Sequence, residues 1–214
     1  MKRDNRRSHT EIFSQLFGVD MPTPGFWGHP RMTAWAEAQK SNSALWIGIN
    51  PYAGGRWPSK ELRPGELEIL ITELLSPGGP LPSNGRLVLL GGGRDRERNL
   101  ALAKVMDDSR IWVPDTDDSV LRLAAVIGHL DYLVTSDSLA LHLGIAQHIP
   151  FLAFFAPTSA AEIDTFGFGT KVASTASDYC SYRKDADNRS VTAARILTSM
   201  KAHRPAMFAA TASV

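Results

Sequence analysis

Between residues 44 and 171, compact apolar runs of strand length alternate with longer segments whose apolar positions recur at helical spacing. Gly, Pro and Asp mark the joins. The runs 44–49, 86–90, 111–113, 132–135 and 151–155 predict strands, and helices are predicted between them at 64–75, 95–106, 119–129 and 138–147. The strands are apolar throughout and do not alternate, which is what a parallel sheet covered on both faces requires. The repeated strand-helix order therefore implies an α/β fold, a Rossmann-like three-layer α/β/α domain with a mainly parallel sheet, over residues 44–203. The tail adds a strand near 171–173 and a helix at about 188–202, and residues 204–214 read as a flexible end.

Residues 1–43 have a different texture. They predict a short amphipathic helix at 8–17, then the Pro, Gly and aromatic stretch MPTPGFWGHP, then a second short helix through 32–40. This segment reads as a connecting arm whose Phe26, Trp27 and Trp35 pack on the following domain. Left exposed, the same aromatics would mark a docking surface.

Composition narrows the function classes. A chain of 214 residues, 43% hydrophobic, can bury about 70% of its unfolded surface and needs neither disulfides nor a structural metal. The lone Cys180 excludes an internal disulfide framework and a Cys-based zinc site, and it suits a reducing compartment. With 23 Lys and Arg against 22 Asp and Glu, no global charge draws the chain to nucleic acid. The basic opening MKRDNRRSH leads into a mixed stretch, not into an apolar secretory core, and the longest apolar runs are too short to span a bilayer. The expected location is cytoplasmic. Lys2, Arg3, Arg6 and Arg7 read as a solvated basic terminus, with a peripheral contact at the inner membrane face as the alternative.

In an open parallel sheet, ligands bind beyond the carboxyl ends of the strands, so the loops that follow them are the candidate sites. The first, Asn50 to Lys60, has Gly54 and Gly55 for close backbone approach and Arg56 and Lys60 for the charge of a diphosphate. A plain Gly-Gly turn with solvated cations is the competing reading, and Trp57 reads as packing. The second loop runs Gly91-Gly92-Gly93-Arg94-Asp95, which is neither a P-loop nor a full G-x-G-x-x-G. A nucleobase could lie on its bare turn with Asp95 on the ribose, or Asp95 could simply cap the next helix. The third loop, 114–119, reads as caps.

The fourth loop contains Ser136-Asp137-Ser138-Leu139, and the amides at the start of its helix form an anion site. Asp137 is expected to cap those amides. Taking sugar hydroxyls and pairing with a cation are the other ways a carboxylate could sit beside a diphosphate. Ser138 and His142 are four apart, so they are expected on one helical face, although His142 taken alone reads as a core histidine. Physical reasoning thus reaches a nucleotide or nucleotide-sugar site without a metal cluster or a strong nucleophile.

The stretches IGINPYAGGRWPSKEL, RLVLLGGGRDRER and DSVLRLAAVIGHLDYLVTSDSLALHLGIAQHIPFLAFFAPTSAAEI resemble the carboxy-terminal domain of family 9 glycosyltransferases, which include the ADP-heptose:lipopolysaccharide heptosyltransferases. The resemblance spans residues 44–171. It implies the donor-binding half of a two-domain GT-B architecture and inverting, metal-independent sugar transfer to a glycan or lipopolysaccharide-like acceptor. No cofactor is implied, only a nucleotide-sugar donor such as ADP-heptose. It places Arg56 or Lys60, Asp137, Ser138, Leu139 and His142 by the donor diphosphate, and Gly91, Gly92 and Asp95 by the nucleoside. Two departures stand out: Leu139 where the family usually has Gly, and Gly55 where a basic residue is common. The family's catalytic carboxylate belongs to an amino-terminal acceptor domain that the resemblance does not cover. The expected partner is therefore an acceptor-domain protein, or a second copy docking on an exposed interdomain face. A non-catalytic nucleotide-binding module is the alternative. A Rossmann-type oxidoreductase is disfavoured by the missing glycine fingerprint.

Overall fold

The computed structural model describes residues 4–40, 45–116 and 119–209. Six strands form one sheet in the order β3-β2-β1-β4-β5-β6, with every neighbouring pair parallel. They are β1 (Trp46–Asn50), β2 (Arg86–Leu89), β3 (Ile111–Trp112), β4 (Tyr132–Ser136), β5 (Phe151–Phe155) and β6 (Gly169–Ala173). Among the described residues eight α-helices accompany them: α1 (His9–Phe17), α2 (Pro30–Lys40), α3 (Pro64–Leu75), α4 (Arg94–Met106), α5 (Val120–Ile127), α6 (Leu139–Ala146), α7 (Ala193–His203) and α8 (Pro205–Ala209).

Strand residues alternate between two cores. Ile47, Ile49, Leu87, Leu89, Val134 and Phe154 join Leu70, Ile71 and Leu74 of α3 and Ile196 and Met200 of α7 on one face. Trp46, Val88, Leu133, Phe151 and Phe155 join α5 and α6 on the other. The α/β/α sandwich is thus built from strands that are apolar on both sides, as the run pattern predicted. The edge strand β3 keeps only two residues, which limits the unpaired backbone presented to solvent.

Three expectations need correction. Residues 205–209 form a helix, with Met207 and Phe208 packed on the α3–α7 core, so the flexible end does not begin at 204; residues 210–214 lie outside the described residues. Phe26 and Trp35 pack on the α5–α6 core, but Trp27 is 91% exposed. The strand predicted from Ala44 begins at Trp46, and Ala44 lies outside the described residues.

The arm is tied down by polar contacts at both ends. Ser8 caps α1 in a reciprocal box with Glu11 and also donates to Asp164 Oδ2 at 3.2 Å. Lys40, at the end of α2, donates to His129 O and Asp131 Oδ2, and Asp131 in turn accepts the Trp46 amide at 2.7 Å. Between these anchors Phe13, Leu16, Phe17, Val19 and Met21 are exposed. Among the described residues, no helix is long and apolar enough to cross a membrane.

Candidate functional site

A cavity of about 520 Å³ opens at the carboxyl ends of β1, β2 and β4. This is where the strand order reverses between β1 and β4, the place where open α/β sheets bind ligands. Its size falls in the range of about 300–1,000 Å³ typical of small-molecule sites.

The loop after β1 forms one wall. Buried Asn50 donates to Tyr52 O at 3.1 Å and to Ser138 Oγ at 2.9 Å, and Ser136 Oγ donates to the same Tyr52 carbonyl at 2.6 Å. These bonds pin the loop to the start of α6, so Tyr52, Gly54, Trp57 and Lys60 all reach the cavity. Gly54 and Gly55 have φ of 67° and 72°, a left-handed pair that turns the chain outward, and Arg56 is exposed and outside the cavity lining. A Cβ on Gly55 would come within 2.9 Å of the Arg94 guanidinium, which fills the space where a side chain at 55 would stand.

The second wall is the turn after β2. A Cβ on Gly91 would lie 2.9 Å from Asp95 Cβ and 3.2 Å from Asn99 Nδ2, so helix α4 approaches the turn closely because residue 91 is bare. Gly93 takes φ 52°, ψ −127° as the N-cap and supplies no side-chain bond. Asp95 sits in the first turn of α4 and lines the cavity without serving as the cap.

The third wall is the start of α6. Ser138 is its N-cap but makes no capping bond to the first-turn amides. Asp137, expected to cap, instead accepts from Lys60 Nζ at 2.7 Å and from Thr158 Oγ1 at 2.7 Å on the same oxygen. The pair is largely desolvated, with side chains 16% and 13% exposed. The cation-pairing option holds, and among the described residues no side chain bonds the first amides of α6, of which Leu141 N–H is taken by Ser138 O.

Seven of the nine residues singled out, Lys60, Gly91, Gly92, Asp95, Asp137, Ser138 and Leu139, line this one cavity. Arg56 and His142 do not. His142 is exposed and lines a separate groove of about 390 Å³ with His9, Pro24 and Glu162 of the arm and the loop after β5. The four-residue spacing fails because Ser138 has extended backbone, φ −150° and ψ −179°, so the helical face begins only at Leu139. His142 is not the core histidine of the competing reading either.

Sequence reasoning missed Thr116, Ser119, Val120 and Leu123, which bring the third loop and the start of α5 to the cavity. Ser119 does cap α5, accepting the Arg122 amide, and Thr116 donates to Gly91 O at 3.0 Å. The expectation of caps was thus right for Ser119 and too narrow for the loop. Trp57, read as packing, also lines the cavity, with Lys60 Nζ 5.7 Å from its ring. Two further charges border the site: Arg98 Nη1 donates to Glu61 Oε2 at 3.0 Å and lies 3.5 Å from Asp95 Oδ1, with its guanidinium 3.9 Å from the Tyr52 ring centre. Burial pushes the Tyr52 phenol above its ordinary pKa, against the opposing pull of Arg98. Among the described residues, no group of three or more His, Cys, Asp or Glu is arranged to hold a metal.

No protein-family model matches the chain, and no curated protein matches it in sequence. Solved structures do match it in fold. The family 9 glycosyl transferase from Veillonella parvula DSM 2008 superposes with a TM-score of 0.70 at 16% identity, over 94% of this chain and 61% of that one. The Escherichia coli ADP-heptose lps heptosyltransferase II gives 0.66 at 16% identity, over 91% and 56%. The chain has the fold of part of these glycosyltransferase structures. A third such structure, E. coli heptosyltransferase WaaC with ADP, gives 0.62 at 16% identity, over 90% of this chain and 54% of that one. The chain therefore spans little more than half the length of the structures it resembles, and its arm is included in the match, since the Veillonella superposition covers 94% of the chain.

Proposed function

We propose that the chain is the donor-binding half of a heptosyltransferase-type glycosyltransferase, taking a nucleotide-diphosphate sugar of the ADP-heptose class. The carrying observation is the convergence of Lys60, the uncapped α6 amides and the bare Gly91-Gly92 turn on one cavity at the strand-order reversal. The diphosphate lies against the α6 amides and Lys60. The nucleoside lies along Gly91, Gly92 and Asp95, toward Thr116 and Ser119. An ammonium has three protons, and Lys60 directs two at Asp137, leaving the third for a phosphoryl oxygen. Each charge-assisted contact of this kind contributes about 1.5–3 kcal/mol.

In the transfer step an acceptor hydroxyl attacks the anomeric carbon as its bond to the diphosphate oxygen breaks. The nucleoside diphosphate leaves, the configuration inverts, and a base on an acceptor domain takes the hydroxyl proton. The contribution of this chain is to stabilise the charge that develops on the leaving diphosphate, through α6 amides and Lys60 already aimed at it. Leu139, which lines the cavity, adds bulk near the expected diphosphate and alters donor fit. The exposed Phe13, Leu16, Phe17 and Trp27 suit a surface for the acceptor-domain protein or a second copy.

Calorimetric titration with ADP, UDP and GDP tests the binding step, with saturable heat for at least one expected and none for all three refuting it. A sugar-transfer assay, run with the chain alone and with candidate acceptor-domain proteins, tests the rest. Transfer by the chain alone would show that the base has been misplaced.

A further inference from the structure

Glu61 and Asp95 come from different segments, the loop after β1 and the first turn of α4, yet both approach one guanidinium. Arg98 Nη1 lies 3.0 Å from Glu61 Oε2 and 3.5 Å from Asp95 Oδ1. The two carboxylates are 14% and 13% exposed, so little water screens them from each other. The guanidinium carbon Cζ also lies 3.9 Å from the ring centre of Tyr52, over the ring, and Tyr52 is 5% exposed. Tyr52 is the residue whose carbonyl is held by Asn50 and Ser136, the same bonds that fix the loop against the start of α6. Arg98 itself does not line the main cavity; Tyr52 and Asp95 do.

From this juxtaposition we infer that Arg98 is a positioning residue for nucleoside recognition. It holds the Asp95 carboxylate toward the ribose side of the cavity and locks Tyr52 and Glu61 to α4, so that the nucleoside wall and the diphosphate wall keep a fixed separation. The role needs a cation whose one nitrogen, Nη1, meets both carboxylates while its guanidinium carbon lies over the Tyr52 ring. A lysine keeps the charge but has no planar group to lie on the Tyr52 ring while its nitrogen meets both carboxylates. The inference rests on the nucleotide-sugar reading of the cavity and assigns a residue outside the cavity to that site.

The separating experiment compares two ligands on the wild-type chain and the Arg98→Lys variant. ADP reports both walls, whereas inorganic pyrophosphate reports the Lys60 and α6 wall alone. Arg98→Lys is expected to weaken ADP about tenfold, equivalent to about 1.4 kcal/mol, and to leave pyrophosphate within about twofold. Asp95→Asn is expected to weaken ADP alone by a similar factor and to add little on top of Arg98→Lys, since both act through one carboxylate. Arg98→Met, which preserves packing volume, serves where the lysine variant folds poorly and carries the same expectation for ADP. Equal ADP affinity in wild type and Arg98→Lys overturns the inference and leaves the cavity reading intact. Parallel loss of ADP and pyrophosphate also overturns it, because Arg98 would then be supporting the whole loop. A wild-type chain that takes up pyrophosphate but no nucleotide overturns the nucleotide reading and this inference with it.

Discussion

Replacing Lys60 with Met separates the two roles this cation has in the structure. Its ammonium is 2.7 Å from Asp137 Oδ2, with the side chains 16% and 13% exposed, so removal leaves a largely desolvated carboxylate with Thr158 as its remaining hydrogen-bond donor. Leaving a charged group short of its partner costs about 1–3 kcal/mol here, toward the lower end because the pair keeps some solvent. For a chain of this length, that corresponds to a fall in Tm of roughly 2–12 °C at about 2–4 °C per kcal/mol. The same substitution removes one charge-assisted contact to a diphosphate, so affinity for ADP is expected to fall by about 10- to 150-fold. The double variant Lys60→Met, Asp137→Asn discriminates. Removing both charges is expected to recover most of the lost stability while the affinity stays low, because no cation returns to the cavity. Thermal melts followed by calorimetry with ADP and inorganic pyrophosphate read both quantities on each protein. ADP binding by the single variant within about twofold of wild type, together with the expected loss of stability, would refute the argument and reduce Lys60 to a structural partner of Asp137.

Three other outcomes are expected. Gly91→Ala puts a Cβ 2.9 Å from Asp95 Cβ and 3.2 Å from Asn99 Nδ2, so α4 must shift; a stability loss of about 1–3 kcal/mol in denaturant titration should accompany weaker ADP binding. Asp108 is held below its ordinary pKa chiefly by its hydrogen bonds from Arg110, so its contribution is fully present above about pH 3.8 and is lost as pH falls through the lower folded value. Asp108→Asn should therefore cost less than about 1 kcal/mol at pH 7 and converge with wild type in acid, as urea melts across pH 2–7 would read. Ser8→Ala removes both the α1 cap and the bond to Asp164, and should cost about 1 kcal/mol and expose the arm to limited proteolysis before the sheet.

Most of the fold was legible because the central strands β1, β2, β4 and β5 are short, largely apolar runs and the helices begin at Pro, Gly or a hydroxyl residue, signals that are local in the chain. Ser119 and Thr192 both cap the helices that follow them, as such hydroxyls promise. The end of the chain was misread because Pro205 starts a helix whose Met207 and Phe208 find a core only in three dimensions. The site was legible where composition dictates backbone behaviour, at Gly91, Gly92 and the start of α6. It was illegible where partners meet across long separations. Nothing near Asp137 in the chain announces Lys60, 77 residues earlier, and nothing near Asp95 announces that Glu61 shares its counter-ion. His142 failed for a reason within reach of sequence: a cap residue is not yet part of the helix, so counting four from Ser138 begins one position too early.

The strand order has a mechanical consequence. β1 pairs on one side with β2 and on the other with β4, where Ile47 meets Tyr132 from 85 residues further along the chain, and the cavity sits across this seam with walls contributed from both sides. A molecule seated there would act as a rivet between the amino-terminal and carboxy-terminal portions of the sheet. Parting the seam and letting the molecule go would then be a single event, so occupancy should slow the opening of β1 from β4 in hydrogen exchange more than it slows the fraying of β3 or β6.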